Sequence, residues 1–285
     1  MPAYLVSQPP VAAVVLPFVK LPRLVHSKLP HITNIASGLG QACVEEICRN
    51  GGNVAILDLN EENGAAVVKS LPSESGKFFV CDVLETDSIA AAVKDTVEWI
   101  QQTGKPLGGI IPAAGVGNPA TILDRDGNSF SLDSFDFVVN INLRGTIDLV
   151  RQCLVHLAKT EPVGDDKERG VVIMVASVAA FDGQKGQVSY AASKGAVAAM
   201  TLPMTRDLSR YGIRCVTIAP GIFDSRMTAA MPKKILKGLE TVMEFPKRAG
   251  LPDEFAQLVR QVIENSMLNG TVIRLDGGLR MPSKI

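Results

Sequence analysis

The sequence has no excess of either charge: 29 Lys and Arg stand against 29 Asp and Glu, for a formal net charge of zero. A nucleic-acid partner calls for a basic excess or stripe, and neither is present. Histidine is scarce (His26, His31 and His156). The five cysteines, Cys43, Cys48, Cys81, Cys153 and Cys215, are scattered, odd in number and free of any CxxC pair. These counts exclude a metal constellation and a disulfide framework. They point to buried, reduced thiols in an intracellular protein. Long apolar runs are also missing. The longest near the start, Val11 to Leu16, stops at Pro17, far short of the roughly 20 residues that span a membrane. No basic stretch precedes it, so a secretory signal is not expected. Acids are absent before Glu45. An acid-free start suits a mitochondrial presequence, but its single Arg and its many prolines do not, which leaves mitochondrial and cytoplasmic locations both open.

What remains is a chain that is 46% hydrophobic and 20% charged, a composition able to fill a large core. Apolar runs recur at Val54–Asp58, Phe78–Asp82, Leu107–Pro112, Val171–Val175, Arg214–Ile218 and Thr271–Leu275. None alternates polar with apolar, so each reads as a strand covered on both faces. Helical patterns lie between them, at Gly40–Asn50, Asp87–Gln102, Phe135–Lys159 and Ser189–Tyr211. The polar segment Glu161–Gly170 reads as a surface loop. The alternation predicts an α/β fold, a single doubly wound Rossmann-type parallel sheet with helices on both faces.

Two ends of this pattern carry chemistry. Gly38-Leu39-Gly40 precedes a helix, and Asp58 closes the next strand, 20 positions after Gly38. A glycine turn lets backbone N–H groups approach a pyrophosphate. An acid at that distance can hold ribose hydroxyls and repel a 2′-phosphate, favouring NAD over NADP. The plain alternatives are a simple turn and a helix-capping Asp58. Asp82-Val83 adds a polar group where an adenine edge can sit. At the other end, Tyr190 and Lys194 are four apart and share a helix face. An ammonium beside a phenol is expected to lower its pKa and fit it for proton exchange with an alcohol or ketone. Ser177 follows the strand Val171–Val175, at the carboxyl end where open sheets place ligands.

Ser177, Tyr190 and Lys194, with 13 positions from Ser to Tyr, resemble the triad of the short-chain dehydrogenase/reductase family. Asn140-Ile-Asn142-Leu-Arg-Gly145 resembles the helix that carries that family's fourth catalytic residue, here Asn142, and Pro220-Gly221 resembles the turn that closes over the nicotinamide. The resemblance covers roughly Ala36 to Pro282. Within the family, Ala176–Phe181, Tyr190–Gly195, Met200–Pro203, Ile218–Gly221 and Asn269–Gly278 are most similar to the branch acting on 3-hydroxyacyl-CoA. It implies NAD-dependent interconversion of a secondary alcohol and a ketone, on a 3-hydroxyacyl-CoA or a similar apolar substrate, in a homotetramer. Tyr190 would exchange the proton and Ser177 would position the substrate oxygen. Lys194 would lower the Tyr190 pKa and hold the nicotinamide ribose. Asn142 would hold a relay water. The implied cofactor site comprises Ser37, Gly38, Leu39, Gly40, Asp58, Asp82, Val83, Ala114, Gly115, Tyr190, Lys194, Pro220, Gly221, Ile222 and Ser225. Gln184 joins Ser177 and Tyr190 at the substrate, with a solvated loop residue as its plain alternative.

Three departures qualify this. Asn34 stands where the family's first turn glycine belongs. Pro112 stands where the family has an Asn that braces the sheet. No apolar strand runs into Thr33; instead Val11–Leu16 resembles that first strand displaced upstream. Residues 1–34 therefore read as an atypical Pro-rich segment ahead of a domain over 35–285, with 17–34 as an insertion, either genuine or translated non-coding sequence. The damaged turn keeps a second reading open, a catalytically impaired member serving as a binding or scaffold subunit.

Overall fold

A computed structural model describes residues 14–17, 29–31, 38–229 and 233–283. Eight strands are present among them: β1 Val14–Pro17, β2 Leu29–His31, β3 Gly51–Asp58, β4 Gly76–Val80, β5 Leu107–Ile111, β6 Gly170–Val175, β7 Ile213–Pro220 and β8 Val272–Leu275. They form a five-stranded sheet in the order β1-β5-β6-β7-β8 and a three-stranded sheet in the order β2-β3-β4. Every pairing is parallel except β1 with β5. All residues of β5 and β7 are buried, as expected for continuous apolar strands covered on both faces. Ile56, Leu57, Ile110, Ile111, Val172, Ile173 and Val216 meet in the main core, each burial worth about 1.5–3 kcal/mol.

The helices are α1 Leu39–Arg49, α2 Glu61–Ser70, α3 Thr86–Thr103, α4 Leu132–Val139, α5 Thr146–Leu157, α6 Val188–Leu208, α7 Arg226–Ala229, α8 Lys233–Thr241 and α9 Pro252–Glu264. Asn60 caps α2 by accepting from Asn63 N–H at 2.9 Å. Pro252 opens α9, where its missing N–H costs nothing, and Glu254 accepts from the Leu251 N–H at 2.7 Å. Helix α1 lies against α9 on one side of the sheets, while α3 and α5 lie together. No helix among the described residues is long and apolar enough to cross a membrane.

Two differences from the expected pattern matter for the site. The continuous helix expected over Phe135–Lys159 is broken: α4 and α5 are joined by a π-helical turn, Asn140–Gly145. Gly145 permits it, because a Cβ there would stand 2.9 Å from both Cβ and O of Val83. Thr146 Oγ1 donates to the Asn142 carbonyl at 2.8 Å and holds the widened turn. The second difference concerns the first strand. The run Val11–Leu16 was expected to be a displaced parallel strand. Instead β1, which holds its last residues, runs antiparallel to β5, pairing Val14 with Ile111 and Leu16 with Gly109. The parallel neighbour of β3 on the side away from β4 is β2, within the segment read as an insertion. Pro30 sits in the middle of β2 and has no N–H to donate, so β2 ends its sheet as an edge. β1 also lies beside β3 and fills the seam between the two sheets.

Candidate functional site

The site assembles at the carboxyl ends of β5, β6 and β7. Chain leaving β6 reaches Ser177, which is extended (φ −165°) and caps the short 3-10 turn Val178–Ala180 by accepting from Ala179 N–H at 3.2 Å. The chain then passes through a loop into α6, which presents Tyr190 and, one turn later, Lys194. Ser177 touches the Tyr190 phenol in a contact that favours the phenolate. Lys194 is buried, donates from Nζ to the Val175 carbonyl at 2.9 Å and lies 6.0 Å from the centroid of the Tyr190 ring.

Asn142, fully buried on the π-helical turn, stands behind these groups. Its Oδ1 accepts from Val116 N–H at 2.8 Å, and its Nδ2 donates to the Val116 carbonyl and to Ser193 Oγ, both at 3.0 Å. Ser193 Oγ donates in turn to the Tyr190 carbonyl at 2.8 Å. Asn142 thus ties the strip after β5 to the helix that bears Tyr190 and Lys194. In that strip a Cβ on Gly115 would stand 3.2 Å from Lys194 Nζ and 3.4 Å from Asn142 Oδ1. The bare glycine is what makes room for the lysine Nζ there.

Burial dominates the ionisation of the pair. It pulls the Lys194 ammonium down from 10.5 to about 8. It pushes the Tyr190 phenol up, with the Ser177 contact opposing it. The expected lowering of Tyr190 by Lys194 is therefore overturned for the site as it stands, because desolvation outweighs the favourable contact and the ammonium is aimed at Val175.

Asp58 is buried at the end of β3, with Oδ1 accepting from Asn60 N–H at 2.8 Å. It braces the residue that caps α2 rather than capping the helix itself. Asp82 Oδ1 accepts from Leu84 N–H at 2.9 Å, and Val83 is buried under the π-helical turn. Ala114 is buried beside Gly115. Pro220 ends β7, Gly221 N–H donates to the Leu275 carbonyl at 2.8 Å, and Ile222 is buried with Val178, Leu239, Met243, Ala249 and Leu279. Leu39 and Gly40 form the first turn of α1, and Gly38 precedes it at φ +68°. Ser37 lies outside the described residues. Ser225 is placed against Gly38: a Cβ on Gly38 would stand 2.9 Å from Ser225 Cβ.

The donor set fits a dinucleotide along most of this line. A buried carboxylate stands at β3, an open glycine at β5, and a buried lysine and a tyrosine stand at α6. At Gly38 the line is tight, because the chain at Asp224 and Ser225 closes against the glycine and leaves no room for a side chain there. No cluster of His, Cys, Asp and Glu suited to a metal occurs among the described residues.

Gln184 does not point freely at the pocket. Its Nε2 donates to the Pro282 carbonyl at 3.1 Å. Four further residues of the assembly had no sequence signal: Val116, Ser193, Asp182 and Arg274. The contacts that join them across the site span long stretches of chain: Val116 and Ser193 meet Asn142 from 26 and 51 positions away, and Asp182 meets Arg274 from 92.

Comparison with known proteins bears on this geometry. The family described as short chain dehydrogenase matches residues 29–235, so the match begins at β2 and omits β1. The chain is 41% identical over 255 residues to 3-hydroxyacyl-CoA dehydrogenase type-2 of Drosophila melanogaster, covering 88% of this chain and 96% of that one. It is 38% identical over 251 residues to the Homo sapiens protein of the same name, covering 88% and 94%. Among solved structures, 3-hydroxyacyl-CoA dehydrogenase type-2 from Mycobacterium avium superposes with a TM-score of 0.83 at 33% identity, covering 90% of this chain and 97% of that one.

Proposed function

The chain belongs to the short chain dehydrogenase family of oxidoreductases, and from that premise we propose that it interconverts the secondary alcohol of a 3-hydroxyacyl-CoA and the corresponding ketone, with NAD as cofactor. The observation that carries this reading is the convergence of Ser177, Tyr190 and Lys194 at the end of β6, held from behind by Asn142. Bound NAD supplies the hydride acceptor. In the oxidative direction Ser177 hydrogen-bonds the substrate hydroxyl oxygen and fixes its distance from Tyr190. The Tyr190 phenolate oxygen takes the hydroxyl proton. Lys194 would stabilise that phenolate only as the ammonium, and it works against the burial that holds the Tyr190 phenol up. Asn142 keeps the Gly115 strip and α6 in register, so that the ribose would meet Lys194. The Asp58 carboxylate favours NAD over its 2′-phosphorylated form by repulsion. The names of the relatives supply the coenzyme A ester. We propose a homotetramer as its assembly, which light scattering would test.

A catalytically silent binding subunit is the second reading, favoured by the contact between Ser225 and Gly38. An NAD-reduction assay with short 3-hydroxyacyl-CoA substrates separates the two. Turnover in the parent and its loss in Tyr190→Phe supports the enzyme. An inactive parent with every chain length supports the silent subunit.

A further inference from the structure

Arg274 is the hub of a network that neither the triad nor the cofactor line uses. It lies on β8, directly opposite Ala219 of β7. Its Nε donates to Asp276 Oδ2 at 2.7 Å. Its terminal nitrogen donates to Asp182 Oδ2 at 2.6 Å and to the Leu279 carbonyl at 2.8 Å. The guanidinium also lies 5.5 Å from the centroid of the Phe181 ring. Phe181 and Asp182 directly follow the Ser177 turn, and both their N–H groups donate to the Val178 carbonyl at 2.9 Å. Further along the same loop, Gln184 is tied to Pro282, and its N–H donates to Gln187 Oε1 at 2.9 Å, where α6 begins. Asp276 packs behind Gly221, whose Cβ would stand 2.9 Å from it. The segment 276–282 therefore clasps the loop joining Ser177 to Tyr190, and Arg274 is the rivet.

We propose that Arg274, through Asp182, is a positioning residue that fixes the Ser177–Tyr190 geometry and keeps water from the phenol. The proposal rests on the dehydrogenase reading above. The guanidinium is suited to it because a planar fork joins two carboxylates and a carbonyl at fixed angles, which a lysine cannot do. Asp182 is held below the usual carboxylate range, chiefly by its hydrogen bond to Arg274, so the pair stays charged across the working pH range.

The test compares Arg274→Ala, Arg274→Lys and the milder Asp182→Asn with Arg214→Lys. Arg214 holds Glu168 and the end of α9 at the other end of β7, so its variant controls for general loss of stability. Arg274→Ala is expected to lower kcat roughly ten- to a hundredfold while KM for NAD stays within about twofold. Arg274→Lys and Asp182→Asn should fall between, and Arg214→Lys should melt earlier with normal kcat. A second readout needs no turnover: tyrosinate absorbance assigned to Tyr190 by its loss in Tyr190→Phe. Burial holds that phenol up and Ser177 and Lys194 face it, so a loosened clasp admits water and brings its titration down. An inactive parent would sink the dehydrogenase reading yet leave this titration to decide the clasp. An unshifted Tyr190 titration in Arg274→Ala overturns the proposal, as does a normal kcat with only a lowered melting temperature.

Discussion

Lys194 is an ammonium held where water is scarce, and its cost to the fold can be measured. Its folded value lies at about 8 against 10.5 for the free group. Below pH 8 both folded and unfolded chains carry the proton, and the folded state bears the full burial cost, about 3 kcal/mol. Between pH 8 and 10.5 the unfolded chain binds the proton and the folded one does not, so stability rises with pH. Lys194→Met is therefore expected to melt at a higher temperature than the parent at pH 7, with the gain shrinking toward pH 10.5, and to lose activity. Calorimetry across that range checks it. Asn142→Ala removes three hydrogen bonds and strands the Val116 N–H; urea unfolding should show a loss of about 3 kcal/mol. Ser177, Tyr190 and Lys194 were legible in the sequence because their spacing spans one strand end and one helix turn. What Asn142 binds was not. Its partners Val116 and Ser193 lie 26 and 51 positions away and meet it only because the helix widens.

That widening belongs to the scale of the element. A helix read from periodicity is continuous by default, and Asn140–Gly145 kept a helical sequence while shifting to π geometry. The only trace was Gly145, and its role depends on Val83 pressing from beneath. Gly145→Ala is expected to cost about 1–3 kcal/mol by overpacking and to lower kcat by displacing Asn142. A variant with wild-type unfolding midpoint and kcat would remove the turn from the account of the site. Strand direction was equally illegible. The apolar run ending at Leu16 marks a strand, but nothing in such a run states which way it points. Pro30 was the better clue, because a residue without an N–H cannot sit in the middle of a sheet.

For the whole molecule, the unbroken apolar runs foretold two covered faces for the inner strands β3, β5, β6 and β7, but not for the outer ones. Lys77 and Val80 of β4 are exposed and β8 is half-buried throughout, because an edge strand is covered less completely. The five thiols follow from the same burial. Cys43 and Cys48 lie on α1, Cys81 follows β4, Cys153 is on α5 and Cys215 on β7, and all are buried and free. Burial pushes Cys48, Cys81 and Cys215 up to about 12 and raises Cys43 and Cys153 well above their ordinary value. Thiolate is the reactive form, so none should label in the native protein at pH 8. Mass spectrometry after iodoacetamide treatment should find chains with no label or five, and few between. A cysteine that reacts alone would show that its element opens independently. The buried thiols thus serve as a clock wired to the entire fold: each alkylated chain records one complete opening, and counting them over time measures how often this molecule comes apart.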